Sequence, residues 1–81
     1  MDLKNYLNIY EGDINSLKKA IVKKGVGDMS WMKHLFVPLQ SGHKVYIHPD
    51  QSDVSGHYLK IIHSNEKCIS TFNKTYFEIV D

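Results

Sequence analysis

From Leu35 to the end of the chain, apolar residues fall at about every second position. This shift from a period near 3.6 to a period of 2 restricts the fold more than any other feature of the sequence. The segments Leu35 to Leu39, Lys44 to His48, His57 to His63, Lys67 to Phe72 and Thr75 to Val80 are short and rich in β-branched and aromatic residues. Turn-forming residues separate them, so residues 35–80 are expected to form a sheet. Pro38 cannot donate a ladder hydrogen bond, which makes the first segment an edge strand at best.

The N-terminal third has a different pattern. Leu3, Tyr6, Leu7 and Tyr10 stand at i, i+3, i+4 and i+7, the stripe of a short helix over 2–11 with Asp2 as its N-cap. Asp13 offers a second cap, and Ile14, Leu17, Ala20 and Ile21 extend a helical stripe to Gly25, with Lys23 and Lys24 in the last turn. Residues 28–39 leave helix, strand and loop open. The expected fold is therefore a single α+β domain over 1–81, helical in 2–25 and sheet in 35–80. Two N-terminal helices would pack on one face of a three- to four-stranded antiparallel sheet.

Turn chemistry sets an expected register. Phe72-Asn73-Lys74-Thr75 reads as a two-residue hairpin, and a loop over Ser64 to Lys67 sets His63 opposite Cys68. Leu59, Ile61, Cys68, Phe72, Phe77 and Ile79 then share the face under the helices. The other face holds Tyr58, Lys60, Ile62, Ile69, Thr71, Tyr76, Glu78 and Val80. It is more apolar than the wet side of a one-sided sheet. Residues 49–56, from Pro49 to Gly56, form the one long turn-rich stretch and are expected to be the most mobile loop.

With 81 residues the chain makes one domain, too small for separate cofactor and substrate domains. Ten Lys against nine Asp plus Glu give a net charge of +1, a weak field for attracting a polyanion. Arginine is absent and Ala20 is the single alanine, as codon bias in an AT-rich genome or a small mobile-element gene would produce. Without a guanidinium fork, anions must be met by Lys, His, Ser or backbone amides. Cys68 stands alone and forms no intramolecular disulfide, so the core alone must hold the chain, in a reducing compartment. No apolar run approaches the roughly 20 residues of a membrane span, nor is there a secretory h-region, so a cytoplasmic location is expected.

Five histidines invite a metal reading. His57 and His63 share a strand face but would lie about 20 Å apart at ~3.3 Å per residue, and His43 and His48 have opposite parity, so no metal site is assigned. Cys68 and His63 would be the natural nucleophile and base under this register, yet a free strand cysteine is usually a small buried hydrophobe. Asp50 and Asp53 are explained by turn formation. No cofactor-binding pattern is present.

The segments Ser16 to Gly25 (SLKKAIVKKG) and Gln40 to Asp50 (QSGHKVYIHPD) resemble the helix and the histidine-bearing strands of HicA-type mRNA-interferase toxins. The resemblance covers under half the chain and implies a ribonuclease whose catalytic histidine falls on His43.

The leading expectation is a small non-enzymatic regulator or inhibitor, phage- or mobile-element-encoded, that occludes a protein partner. Its binding residues would be Trp31, Tyr58, Lys60, Ile62, Ile69 and Tyr76, because aromatic side chains bury much area at low entropic cost. A homodimer through the same surface is an equally physical use of it. RNA binding through Lys18, Lys19, Lys23 and Lys24, or through a tyrosine platform beside Lys60, is the alternative from another class.

Overall fold

The computed structural model describes residues 9–35 and 37–80. Five strands form one antiparallel sheet: β1 Lys19–Val22, β2 Lys44–Ile47, β3 Tyr58–His63, β4 Ile69–Asn73 and β5 Phe77–Ile79, in the order β4-β3-β2-β1-β5. Single 3-10 turns at Ile14–Ser16, Val26–Asp28, Met32–His34 and Lys74–Tyr76 are the only helical elements among the described residues.

This corrects the expectation of two helices on a three- to four-stranded sheet. The second expected helix, 13–25, is a 3-10 turn followed by β1. Asp13 does cap, its carboxylate accepting from Asn15 N–H at 3.0 Å, but the turn it opens is only three residues long. In Lys19-Ala20-Ile21-Val22 burial alternates, with Ala20 and Val22 buried and Lys19 and Ile21 half-buried. The β-branched Ile21 and Val22 suit a strand, and pairing on both sides, with β2 and with β5, outweighs a weak local helix preference. Of the first expected helix, residues 2–8 lie outside the described residues. Ile9 forms a bridge with Cys68, and Tyr10 N–H donates to the Lys67 carbonyl at 2.9 Å, so these two residues are extended.

The β3–β4 hairpin has the register expected from its turn. His63 N–H donates to the Cys68 carbonyl at 2.9 Å, and Leu59 pairs with Phe72 and Ile61 with Ser70. The hairpin expected at Phe72–Thr75 does not form. Asn73 accepts from Thr75 N–H at 3.0 Å and from Thr75 Oγ1 at 2.9 Å, which closes a 3-10 turn. β5 then pairs with β1 at the far edge of the sheet. Four strand spacings of a flat sheet would separate those edges by about 19 Å, whereas a three-residue 3-10 turn advances ~6 Å. The sheet must therefore curl until its two edges approach, and the Lys23 N–H bond to the Tyr76 carbonyl at 2.8 Å ties the turn to the end of β1.

The concave side of this curl holds the core: Ala20, Val22, Val45, Ile61, Phe72 and Phe77 from strands, with Val26, Met32 and Leu39 from the long β1–β2 connection. That connection does what the helices were expected to do. Of residues 35–39, read as a strand segment, Leu35 and residues 37–39 belong to it and form no strand, and residue 36 lies outside the described residues; Leu39 is buried, and its N–H points at Met32 Sδ, 3.3 Å away. Its ends are zipped by Val22 N–H to the His43 carbonyl and Gly42 N–H to the Val22 carbonyl. Ser41 Oγ accepts from Gly27 N–H at 3.0 Å and Gly25 N–H at 3.2 Å. A Cβ at Gly27 would meet backbone atoms of Ser41 and Gln40 at 2.9 and 3.2 Å, so this approach needs glycine. No helix among the described residues is long and apolar enough to cross a membrane.

Candidate functional site

Phe72 is the hub of an aromatic cluster. Its ring lies 6.5 Å from that of Trp31 in a stacked arrangement, 6.3 Å from Tyr76, 6.3 Å from Phe77 edge-on, and 6.2 Å from His63 edge-on. Trp31 is also 6.1 Å from Tyr76. Such offset and edge contacts suit the ring quadrupole. Phe72 is buried, but Trp31 remains 42% and Tyr58 48% exposed. Together with Leu35, Val37, Tyr76 and β4 residues from Ser70 to Asn73, they line a groove of about 510 Å³ beside β4.

The groove follows a strand edge. In the β3–β4 ladder, His63–Cys68 and His57–Lys74 are the hydrogen-bonded pairs recorded at its two ends. Alternation in an antiparallel ladder then makes Ile61–Ser70 and Leu59–Phe72 bonded pairs and Lys60–Thr71 a non-bonded one. The N–H and C=O of Thr71 accordingly point away from β3, toward the groove. Among the described residues, Ile9 is the one residue paired along this edge, and only at its Cys68 end. The sequence Ile69-Ser70-Thr71-Phe72-Asn73 has neither the lysine nor the proline that often guards an edge. β5, the other edge strand, has three residues with Glu78 at its centre.

Three of the six residues singled out from the sequence meet here: Trp31, Tyr58 and Tyr76. The other three do not. Ile62 is wholly buried, paired with Tyr46 of β2, and Ile69, its partner on β4, is half-buried. Lys60 is drawn into the β2–β3 connection. Its Nζ is 3.1 Å from Asp53, and its backbone N–H and C=O are both bonded by the Gln51 side chain, at 3.0 and 2.8 Å. Sequence reasoning assigned Phe72 to the core alone and gave Leu35, Val37 and Thr71 no part in a site. A run of strand residues without edge-guarding charge was the available signal for Thr71.

The lysines of the nucleic-acid alternative lie at the two ends of a strand. Lys19 opens β1, Lys18 precedes it, and Lys23 and Lys24 follow its end at Val22, so the strand holds the two pairs apart and the four charges do not gather on one helix face. Lys18, Lys23 and Lys24 are exposed, and Lys19 is half-buried.

His43 is exposed at the end of the long connection and lines a second, smaller cavity of about 240 Å³ with His63, Ser64 and Glu66. The segment Ser16 to Gly25, a helix in the interferase resemblance, contains β1. His63 is buried, and its Nε2 lies 3.0 Å from Ser70 Oγ. Burial holds its pKa below the ordinary value, keeping the imidazole neutral. Burial and the nearby Glu66 carboxylate push the Cys68 thiol upward, away from the thiolate that nucleophilic chemistry needs. Asp50 is held below the usual carboxylate range by hydrogen bonds from the Ser52 hydroxyl and backbone N–H. His48 Nδ1 accepts from Asp50 N–H at 3.0 Å. No three His, Cys, Asp or Glu side chains gather as metal ligands would among the described residues.

The chain matches no family model, no curated protein and no solved structure at a significant level.

Proposed function

We propose that this protein is a small non-enzymatic binding protein that regulates or inhibits a protein partner by docking it in the β4 groove. One observation carries the reading: Trp31, Tyr58 and Tyr76 stand together, two of them over 40% exposed, on a wall of Phe72 beside a strand edge that, among the described residues, is paired only by Ile9 at Cys68. In a domain this small, large aromatic side chains are needed inside. Leaving Trp31 and Tyr58 half in water exposes apolar area of the kind that anchors interfaces. Catalysis has less support, because the Cys68 thiol is masked and His43 stands exposed at a loop end.

The test is a photo-crosslinking amino acid placed at Thr71, in the groove, and separately at Glu78, on the other edge, with the full chain expressed in its native cell. Protein adducts are expected at Thr71 and not at Glu78. Equal adducts at both sites, or none at Thr71, would contradict the reading.

A further inference from the structure

Docking in the β4 groove leaves the cavity at one end of the curled sheet without a role. β1 ends there at Val22, β2 begins at Lys44 and β3 ends at His63. Val22, Leu39 and Val45, all buried, form its apolar floor, and its volume is about 240 Å³. A closed apolar cavity of about 150 Å³ takes up benzene, so this one has room for a single ring.

His63 is the polar group in that floor. It stands opposite Val45 in the β2–β3 ladder, on the same face of the sheet, and is 5% exposed. Its Nε2 lies 3.0 Å from Ser70 Oγ, and its Nδ1 has no partner among the described residues. No buried side-chain nitrogen or oxygen among them lacks a partner, however, so Nδ1 is not enclosed. It opens on the cavity that His63 lines. An unfilled hydrogen-bonding position beside an apolar floor suits a small ligand with one polar group.

Charge decides the kind of polar group. Besides the two histidines, Lys44 and Glu66 are the lining residues with ionisable side chains. Lys44 Nζ lies 5.9 Å from the centroid of the Tyr46 ring, and these two residues share the face of β2 opposite to Val45, so the ammonium is turned away from the cavity. A carboxylate ligand would therefore meet Glu66 and an uncharged imidazole, with no lysine to offset its desolvation.

We propose that this cavity binds a small neutral molecule with one ring and one hydroxyl, of the phenol class. The ring lies over Val22, Leu39 and Val45. The hydroxyl donates to His63 Nδ1, while His63 Nε2–H donates to Ser70 Oγ. Because Ser70 already fixes the imidazole in the free chain, little ordering is left for the ligand to impose. The site lies apart from the β4 groove and does not depend on what docks there.

The test titrates phenol, benzene and benzoate separately into the full chain at neutral pH, following the His63 ring and the Val22 and Val45 methyl resonances. Phenol is expected to bind in the millimolar range and to move all three. It should bind about tenfold more tightly than benzene, as one net hydrogen bond allows, and benzoate should bind more weakly than either. His63→Leu is expected to bring phenol down to the affinity of benzene. The comparison of the three ligands on the unaltered chain decides the matter even where that variant fails to fold. Equal affinity for phenol and benzene would overturn the inference, as would benzoate binding more tightly than phenol. So would no binding of phenol at tens of millimolar, or shifts centred on Trp31 and Thr71 in the groove instead of on His63 and Val45.

Discussion

His63 shows how one buried side chain makes stability depend on pH. Burial lowers its folded pKa below the ordinary 6.5, so the unfolded chain binds the proton more readily than the folded one. Its contribution is fully present above about pH 6.5 and is lost as pH falls below that value toward the lowered folded pKa. The urea midpoint is therefore expected to drop between pH 7 and pH 5, and to drop less in His63→Gln, whose amide can still reach Ser70 Oγ. An identical pH dependence in the variant would show that His63 is not the group responsible. Gly27 makes a steric case. Its Cβ position is taken by the backbone of Gln40 and Ser41, so Gly27→Ala should cost about 1–3 kcal/mol by urea unfolding. A neutral Gly27→Ala would mean that the connection does not close on itself there.

At the scale of elements, what the sequence revealed was what local chemistry decides. The Ser64 to Lys67 turn fixes the β3–β4 register, and alternation then places Leu59, Ile61 and Phe72 on the core side. Two elements escaped for physical reasons. β1 is four residues long and lies within an apolar spacing that also fits a helix; only its neighbours β2 and β5, distant in sequence, decide the matter. Asn73 signals a turn in either reading, but whether β5 folds back on β4 or crosses to β1 depends on closing the curl. The Asn73 side chain favours the crossing by capping the turn. Asn73→Ala is expected to cost about 1 kcal/mol, with Asn73→Asp retaining most of the stability, as judged by thermal melting. Equal losses in both variants would place the role of Asn73 elsewhere. The groove was only partly legible, because its aromatic residues stand out in sequence while the strand edge they flank depends on strand order.

For the whole molecule, the long β1–β2 connection replaces helices as the cover of the core, and the curl brings β4 and β5 near each other without pairing them. The two edges differ in kind: β5 is short and carries Glu78, and β4 is longer, uncharged and flanked by aromatic residues. The docking proposal follows from that asymmetry, which amide hydrogen exchange on the free, full chain reads directly. Ser70 and Phe72 should exchange slowly as rungs of the β3–β4 ladder, and Thr71 between them should exchange fast. Protection of Thr71 equal to that of its two neighbours would contradict a bare β4 edge, and the docking site with it.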